Sequence, residues 1–165
     1  MSESSQRATV IRALRPLHGV PVENPVQPGT PDVNYIDGWI ELKWLRRWPR
    51  RPDSLVKLPH FTRQQRRWLR QRWERGGAAW LLLQAQREWL LFSGPTAAEH
   101  VGHATREELY HLARAMWRSG LDKKELVQCL QLDRGNWGDL RLERGSWSPD
   151  GDLGRHRPRR LDATA

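Results

Sequence analysis

The stretch Pro31-Asp32-Val33-Asn34-Tyr35-Ile36-Asp37-Gly38-Trp39-Ile40-Glu41-Leu42-Lys43 decides how this chain is read. Two short apolar-rich runs flank Asp37-Gly38, a dipeptide that favours φ > 0 and so a tight type I′ hairpin turn. A two-residue loop there fixes the pairing: Ile36 faces Trp39, Asn34 faces Glu41 and Asp32 faces Lys43. Alternation along the strands then puts Asp32, Asn34, Glu41 and Lys43 on one face. Val33, Tyr35, Ile40, Leu42 and Trp44 share the other, which is a core face.

Two acids, an amide and a lysine gathered at one end of an apolar hairpin suit a divalent-metal site. In the expected register Asp32 and Glu41 are diagonal neighbours, about 7–8 Å apart at Cβ, so a cation fits between their carboxylates. Mg²⁺ or Mn²⁺ takes hard oxygen ligands and keeps several waters. The backbone carbonyl of Leu42 is a further candidate ligand. Lys43 adds a positive charge beside the metal, placed to orient water or to stabilise charge building on a phosphate. The competing reading is a solvated face with a cross-strand Asp32–Lys43 pair, which contributes only about 0.2–1 kcal/mol.

Outward from the hairpin, Gln6 to Leu17 has helical spacing at Ala8, Ile11 and Leu14. Val20 and Val22 mark a first strand within Gly19 to Glu23, and Asn24 to Thr30 is a loop. On the other side, Arg46 to Pro59 carries Arg46, Arg47, Arg50 and Arg51 among three prolines, an extended basic loop. Thr62-Arg63-Gln64-Gln65 has the pattern of a capping box, opening a helix that stops at Gly76-Gly77. Arg63, Arg66, Arg67, Arg70, Arg72 and Arg75 cover much of that helix, with only Glu74 against them. Ala78 to Leu83 reads as a buried strand and Trp89 to Ser93 as its neighbour. Residues 1–94 therefore read α-β-β-β-α-β-β. Thr105-Arg106-Glu107-Glu108 is a second capping box, and 105–131 reads as two helices broken at Gly120. The expected division is a 1–94 core, a 95–133 helical extension and a 134–165 irregular basic tail.

Together Pro31-Asp32 and Glu41-Leu42-Lys43, with eight residues between the two acids, resemble the PD-(D/E)XK nuclease superfamily. Gln65 resembles the glutamine of the branch that includes VRR-NUC domains and Holliday-junction resolvases. The order of hairpin, Gln-bearing helix, Gly-Gly and apolar strand is also similar. The stretch from Glu23-Asn24 to Gly29-Thr30-Pro31-Asp32 is similar to phage-type members. The likeness covers residues 6–94. It implies an α/β, restriction-endonuclease-like mixed sheet flanked by helices, here with a C-terminal helical hairpin. It further implies a metal-dependent endonuclease that hydrolyses DNA phosphodiester bonds and reads structure such as a junction, flap or end. Asp32, Glu41, Lys43 and Gln65 would be its site residues, Mg²⁺ or Mn²⁺ its cofactor and a homodimer its assembly. One departure stands out. Such proteins usually carry a further acid on the first helix, and Gln6 to Leu17 has none; Glu3 comes too early in the chain, and Glu23, in the expected first strand, is the provisional fourth site residue. The departure implies weaker, one-metal or absent activity, and it supports the alternative of a non-catalytic nucleic-acid-binding module with the same fold.

Composition agrees with a polyanion partner. In 165 residues, 28 Lys and Arg against 19 Asp and Glu leave a net charge of +9. Arg46, Arg47, Arg50, Arg51, Arg63, Arg66, Arg67 and Arg70 are the candidate phosphate contacts, with DNA the first partner and RNA the second. Trp44 reads as a packing residue, while Trp48 could pack or stack on a base. His60 could face the site or serve the helix start. His100, His103 and His111 lack the partners a zinc site needs. The single cysteine, Cys129, excludes an intrachain disulfide and fits a reducing compartment. No apolar run approaches membrane-spanning length and the N-terminus lacks an apolar signal core, so the expected location is the cytoplasm of a bacterial or phage-infected cell.

Overall fold

Ala78–Ala85 is buried along its whole length, and this apolar strand is the axis of the structure. The computed structural model describes residues 3–24 and 29–132; the expected tail at 134–165 lies outside them. The elements in chain order are α1 (Glu3–Ala13), a 3-10 turn (Arg15–Leu17), β1 (Val20–Pro21), β2 (Val33–Tyr35), β3 (Gly38–Leu45) and α2 (Arg63–Glu74). They continue with β4 (Ala78–Ala85), β5 (Glu88–Ser93), α3 (Gly94–His100), α4 (Arg106–Leu112), β6 (Ala115–Trp117) and α5 (Lys123–Leu132). The strands form one mixed sheet in the order β1-β2-β3-β4-β5-β6. Among the described strands only β3 and β4 run parallel, joined by the α2 crossover. The chain is thus α/β, with helices on both faces of the sheet, and the order expected for 1–94 is the order observed.

Burial on both faces explains why β4 reads as a continuous apolar run. Ala78, Trp80 and Leu82 enter one layer with Val10, Leu14 and Leu17 of the N-terminal segment and Leu126 and Leu130 of α5. Ala79, Leu81, Leu83 and Ala85 enter the other with Leu69 of α2, Ala97 of α3 and Leu109 of α4. The ends of α2 form as expected. The Thr62 side chain accepts from the Gln65 N–H, and the Gln65 side chain accepts from the Thr62 N–H. At the other end Gly76 takes φ +80°, and the Gly76 and Gly77 N–H groups donate to the Trp73 and Arg72 carbonyls. That double bond is a Schellman stop, which glycine permits.

The hairpin differs from expectation in its turn. Tyr35 pairs with Gly38, Asn34 with Trp39 and Val33 with Ile40, so the loop residues are Ile36 and Asp37. Neither has positive φ, and neither does Gly38, so this is not a type I′ turn on Asp37-Gly38. Gly38 is needed for another reason. A Cβ there would lie 2.5 Å from the Ala78 Cβ and 2.7 Å from the Ala78 carbonyl oxygen, because β3 and β4 run side by side at that point. Asn34 Nδ2 closes the turn by donating to the Gly38 carbonyl at 3.1 Å. The slip moves each partner by two residues, so no side chain changes face.

The helical hairpin expected at 105–131 is also corrected. The segment is helix, strand, helix. Residues 115–117 form β6, which pairs antiparallel with β5 and extends the same sheet. Leu109, Leu112, Ala113 and Met116 have helical spacing, but α4 ends at Leu112 and Arg114 N–H already donates to the Leu91 carbonyl. A three-residue edge strand carries too little alternation to override that spacing. α3 begins directly after β5, capped by Ser93, and packs on α2. No helix among the described residues is long and apolar enough to cross a membrane.

Candidate active site

The short length of β2 creates the site. β3 runs on for five residues past Ile40, but β2 begins only at Val33, after Pro31. The Asp32 side chain takes over where a strand partner stops: its Oδ2 accepts the Leu42 N–H at 2.8 Å. In an extended strand a residue's N–H and C=O point to the same side, so the Leu42 carbonyl is directed to that side too. Extending the observed ladder by one step brings Asp32 opposite Glu41, nearer than the diagonal expected from the sequence.

Glu41 is fully buried. Its Oε1 accepts from Lys43 Nζ at 2.6 Å and from Gln65 Nε2 at 2.6 Å. Its Oε2 is buried and has no hydrogen-bond partner among the described residues. Burial first, and the nearby Asp32 charge second, push the Glu41 carboxyl up to about 8 against the opposing pull of Lys43. Such an orphaned oxygen is costly to bury beside Asp32 unless a proton shared with Asp32, or a cation in the proton's place, meets it. Mg²⁺ or Mn²⁺ suits that role: Glu41 Oε2, Asp32 and the Leu42 carbonyl are hard oxygen donors, and water would complete the shell. The four residues expected at the site, Asp32, Glu41, Lys43 and Gln65, are therefore brought together from the β2 start, β3 and α2.

Glu23 is not brought in. Its side chain is 87% exposed and sits 3.7 Å from Arg7, which in turn donates to Asp32 Oδ1 at 3.1 Å. Among the described residues no group of three or more His, Cys, Asp or Glu is arranged to hold a metal ion. Two residues of α1 at the site escaped the sequence reading. Arg7 is one. The other is Gln6, which is buried and donates to the Lys43 carbonyl at 2.9 Å. Gln6 had a visible signal: it lies on one helical stripe with Val10, Ala13 and Leu17, where an apolar residue belongs.

The basic residues divide into two groups. Arg46, Arg47, Arg50 and Arg51 are exposed on the loop that follows β3. Trp48 is buried beneath that loop, donating from its indole N–H to Glu88 Oε2 at 2.7 Å and meeting Tyr110 edge to face. It is an anchor and not a stacking platform. Arg63, Arg67 and Arg70 are exposed along the outer side of α2, where all three line a groove of about 340 Å³ and Arg63 and Arg67 also line an adjoining one of about 460 Å³. Arg66 differs: it is half-buried, donates to the Ala98 carbonyl at 3.1 Å and lies 4.2 Å over the Phe61 ring, so it braces α3 against α2. His60 is exposed.

Comparison of the chain with protein-family models, with curated proteins and with solved structures finds no match.

Proposed function

We propose that this chain is a Mg²⁺-dependent endonuclease of PD-(D/E)XK type that hydrolyses DNA phosphodiester bonds. The observation that carries the reading is the Glu41 carboxylate: one oxygen tied down by Lys43 and Gln65, the other buried, partnerless and beside Asp32. Asp32, Glu41 and the Leu42 carbonyl would hold the metal, which when bound would polarise a phosphoryl oxygen and lower the pKa of a coordinated water. Gln65 fixes the rotation of the Glu41 carboxylate, leaving Oε2 for the cation. Lys43 supplies a nearly buried positive charge that stabilises the negative charge developing on the phosphate. Arg46, Arg47, Arg50 and Arg51, with Arg63, Arg67 and Arg70, hold the phosphate backbone without reading sequence. That division suits a substrate recognised by shape, such as a junction, flap or end.

The absence of a third acid at the cluster among the described residues favours a second reading, a nucleic-acid-binding module without cleavage. Plasmid nicking by wild type and Glu41→Gln, each with and without Mg²⁺, separates the two. The endonuclease reading expects nicking by wild type in Mg²⁺ and a loss of more than about a hundredfold in the variant. Equal nicking by both proteins sinks it, and DNA binding with no nicking by either establishes the module.

A further inference from the structure

We infer, on the basis of the metal-centre reading above, that Arg7 is a positioning residue of the site and that its guanidinium limits the site to one divalent cation per chain. Arg7 lies between two carboxylates, with Nη2 at 3.1 Å from Asp32 Oδ1 and Nη1 at 3.7 Å from Glu23 Oε1. It comes from α1, on the opposite helical layer from Gln65, and reaches Asp32 at the place where β2 stops. With Leu42 N–H on Oδ2 and Arg7 on Oδ1, both Asp32 oxygens are held, so the plane of that carboxylate is fixed before any metal arrives. Each oxygen keeps a further lone pair for a cation.

The charges then count for a single ion. Asp32 and Glu41 are balanced by Arg7 and Lys43, and the one oxygen of Glu41 left open is Oε2. A first cation between Glu41 Oε2 and Asp32 meets carboxylate on both sides. The other pair of carboxylates at the site is Asp32 and Glu23, and the guanidinium occupies the gap between them. There a second ion would face a fixed positive charge at close range instead of a third acid.

Mn²⁺ titration of the full chain, followed by electron paramagnetic resonance and by calorimetry, tests this. Equivalents are counted above the background of Glu41→Gln. Wild type is expected to bind one. Arg7→Lys, which keeps the charge, should also bind one. Arg7→Glu puts a third carboxylate between Asp32 and Glu23 and should bind two; if it fails to fold, Arg7→Gln should show a second, weaker equivalent. Two equivalents in wild type, or one in every folded Arg7 variant, overturns the inference while leaving the metal centre in place. No equivalent in wild type removes both readings.

Discussion

Gln65 Nε2 donates to Glu41 Oε1 at 2.6 Å while Gln65 Oε1 accepts the Thr62 N–H at 3.0 Å. One side chain therefore caps α2 and orients the buried acid of β3. The helix cannot shift by a fraction of a turn without moving the Glu41 carboxylate, so capping and site geometry are a single constraint.

Gln65→Ala is expected to remove both effects. Losing the reciprocal cap and a bond to a buried carboxylate should cost about 1–3 kcal/mol in urea unfolding. On the proposed reading Mg²⁺ affinity should fall about 10–100-fold, as for partners that orient metal ligands. Gln65→Glu keeps the cap acceptor but aims a second acid at Glu41. It should recover stability at low pH and leave the metal affinity impaired at pH 7. Stability loss with unchanged metal affinity would show that Gln65 serves the helix alone.

The stability of the metal-free protein should fall as pH rises. The folded Glu41 carboxyl titrates near 8, against about 4.5 when unfolded, so between those values the folded state retains a proton that the unfolded chain has released. The associated stability is fully present below pH 4.5 and is lost as pH rises through 8. Its size is on the order of a few kcal/mol. Urea unfolding in chelator from pH 4.5 to 8.5 should show this decline, and Glu41→Gln should flatten it. Mg²⁺ needs the ionised carboxylate, so its affinity should rise about tenfold per pH unit up to about 8. A wild-type profile as flat as that of the variant would refute the assignment.

Gly38→Ala should destabilise the sheet with no change in turn chemistry. The new Cβ meets the Ala78 Cβ at 2.5 Å, the Ala78 carbonyl oxygen at 2.7 Å and Tyr35 Oη at 2.9 Å. Overpacking of this kind costs about 1–3 kcal/mol. Ala78→Gly in the same chain should restore only part of it, because the backbone and Tyr35 contacts remain. Thermal unfolding of the single and double variants measures both; a neutral Gly38→Ala would mean that β3 and β4 separate freely at this point.

Local chemistry explains what could be read from the sequence. The capping box at Thr62, the Gly76-Gly77 stop and the apolar run of β4 each act within a few residues, and each formed as written. The faces of the hairpin survived a wrong turn because a slip of two residues conserves the pleat. Gly38 misled because it looks like a turn glycine, while its reason lies in Ala78, forty residues away. Arg7 was invisible as a site residue for the same reason, and Gln6 showed only as a polar residue on an apolar stripe: Asp32 and Lys43 reach them through the packing of α1 on the sheet. β6 is defined by β5 and not by its own three residues.

Glu88 offers a way to separate loop placement from charge. Its carboxylate accepts from Trp48 Nε1 at 2.7 Å, Tyr110 Oη at 2.6 Å and Arg106 Nη2 at 2.9 Å, so one acid ties the basic loop to β5 and α4. Glu88→Ala leaves three donors to find other partners, and it should cost about 1–3 kcal/mol of stability. On the proposed reading it should also weaken DNA binding, because Arg46, Arg47, Arg50 and Arg51 lose their fixed position while keeping their charge. The salt dependence of binding reports the number of phosphates neutralised, so Glu88→Ala should lower affinity with little change in slope. Arg50→Ala with Arg51→Ala should do the opposite, leaving stability within about 0.5 kcal/mol and reducing the slope by about 2. Filter binding from low to moderate salt distinguishes them, and equal slopes for the arginine variant and wild type would take this loop out of the interface.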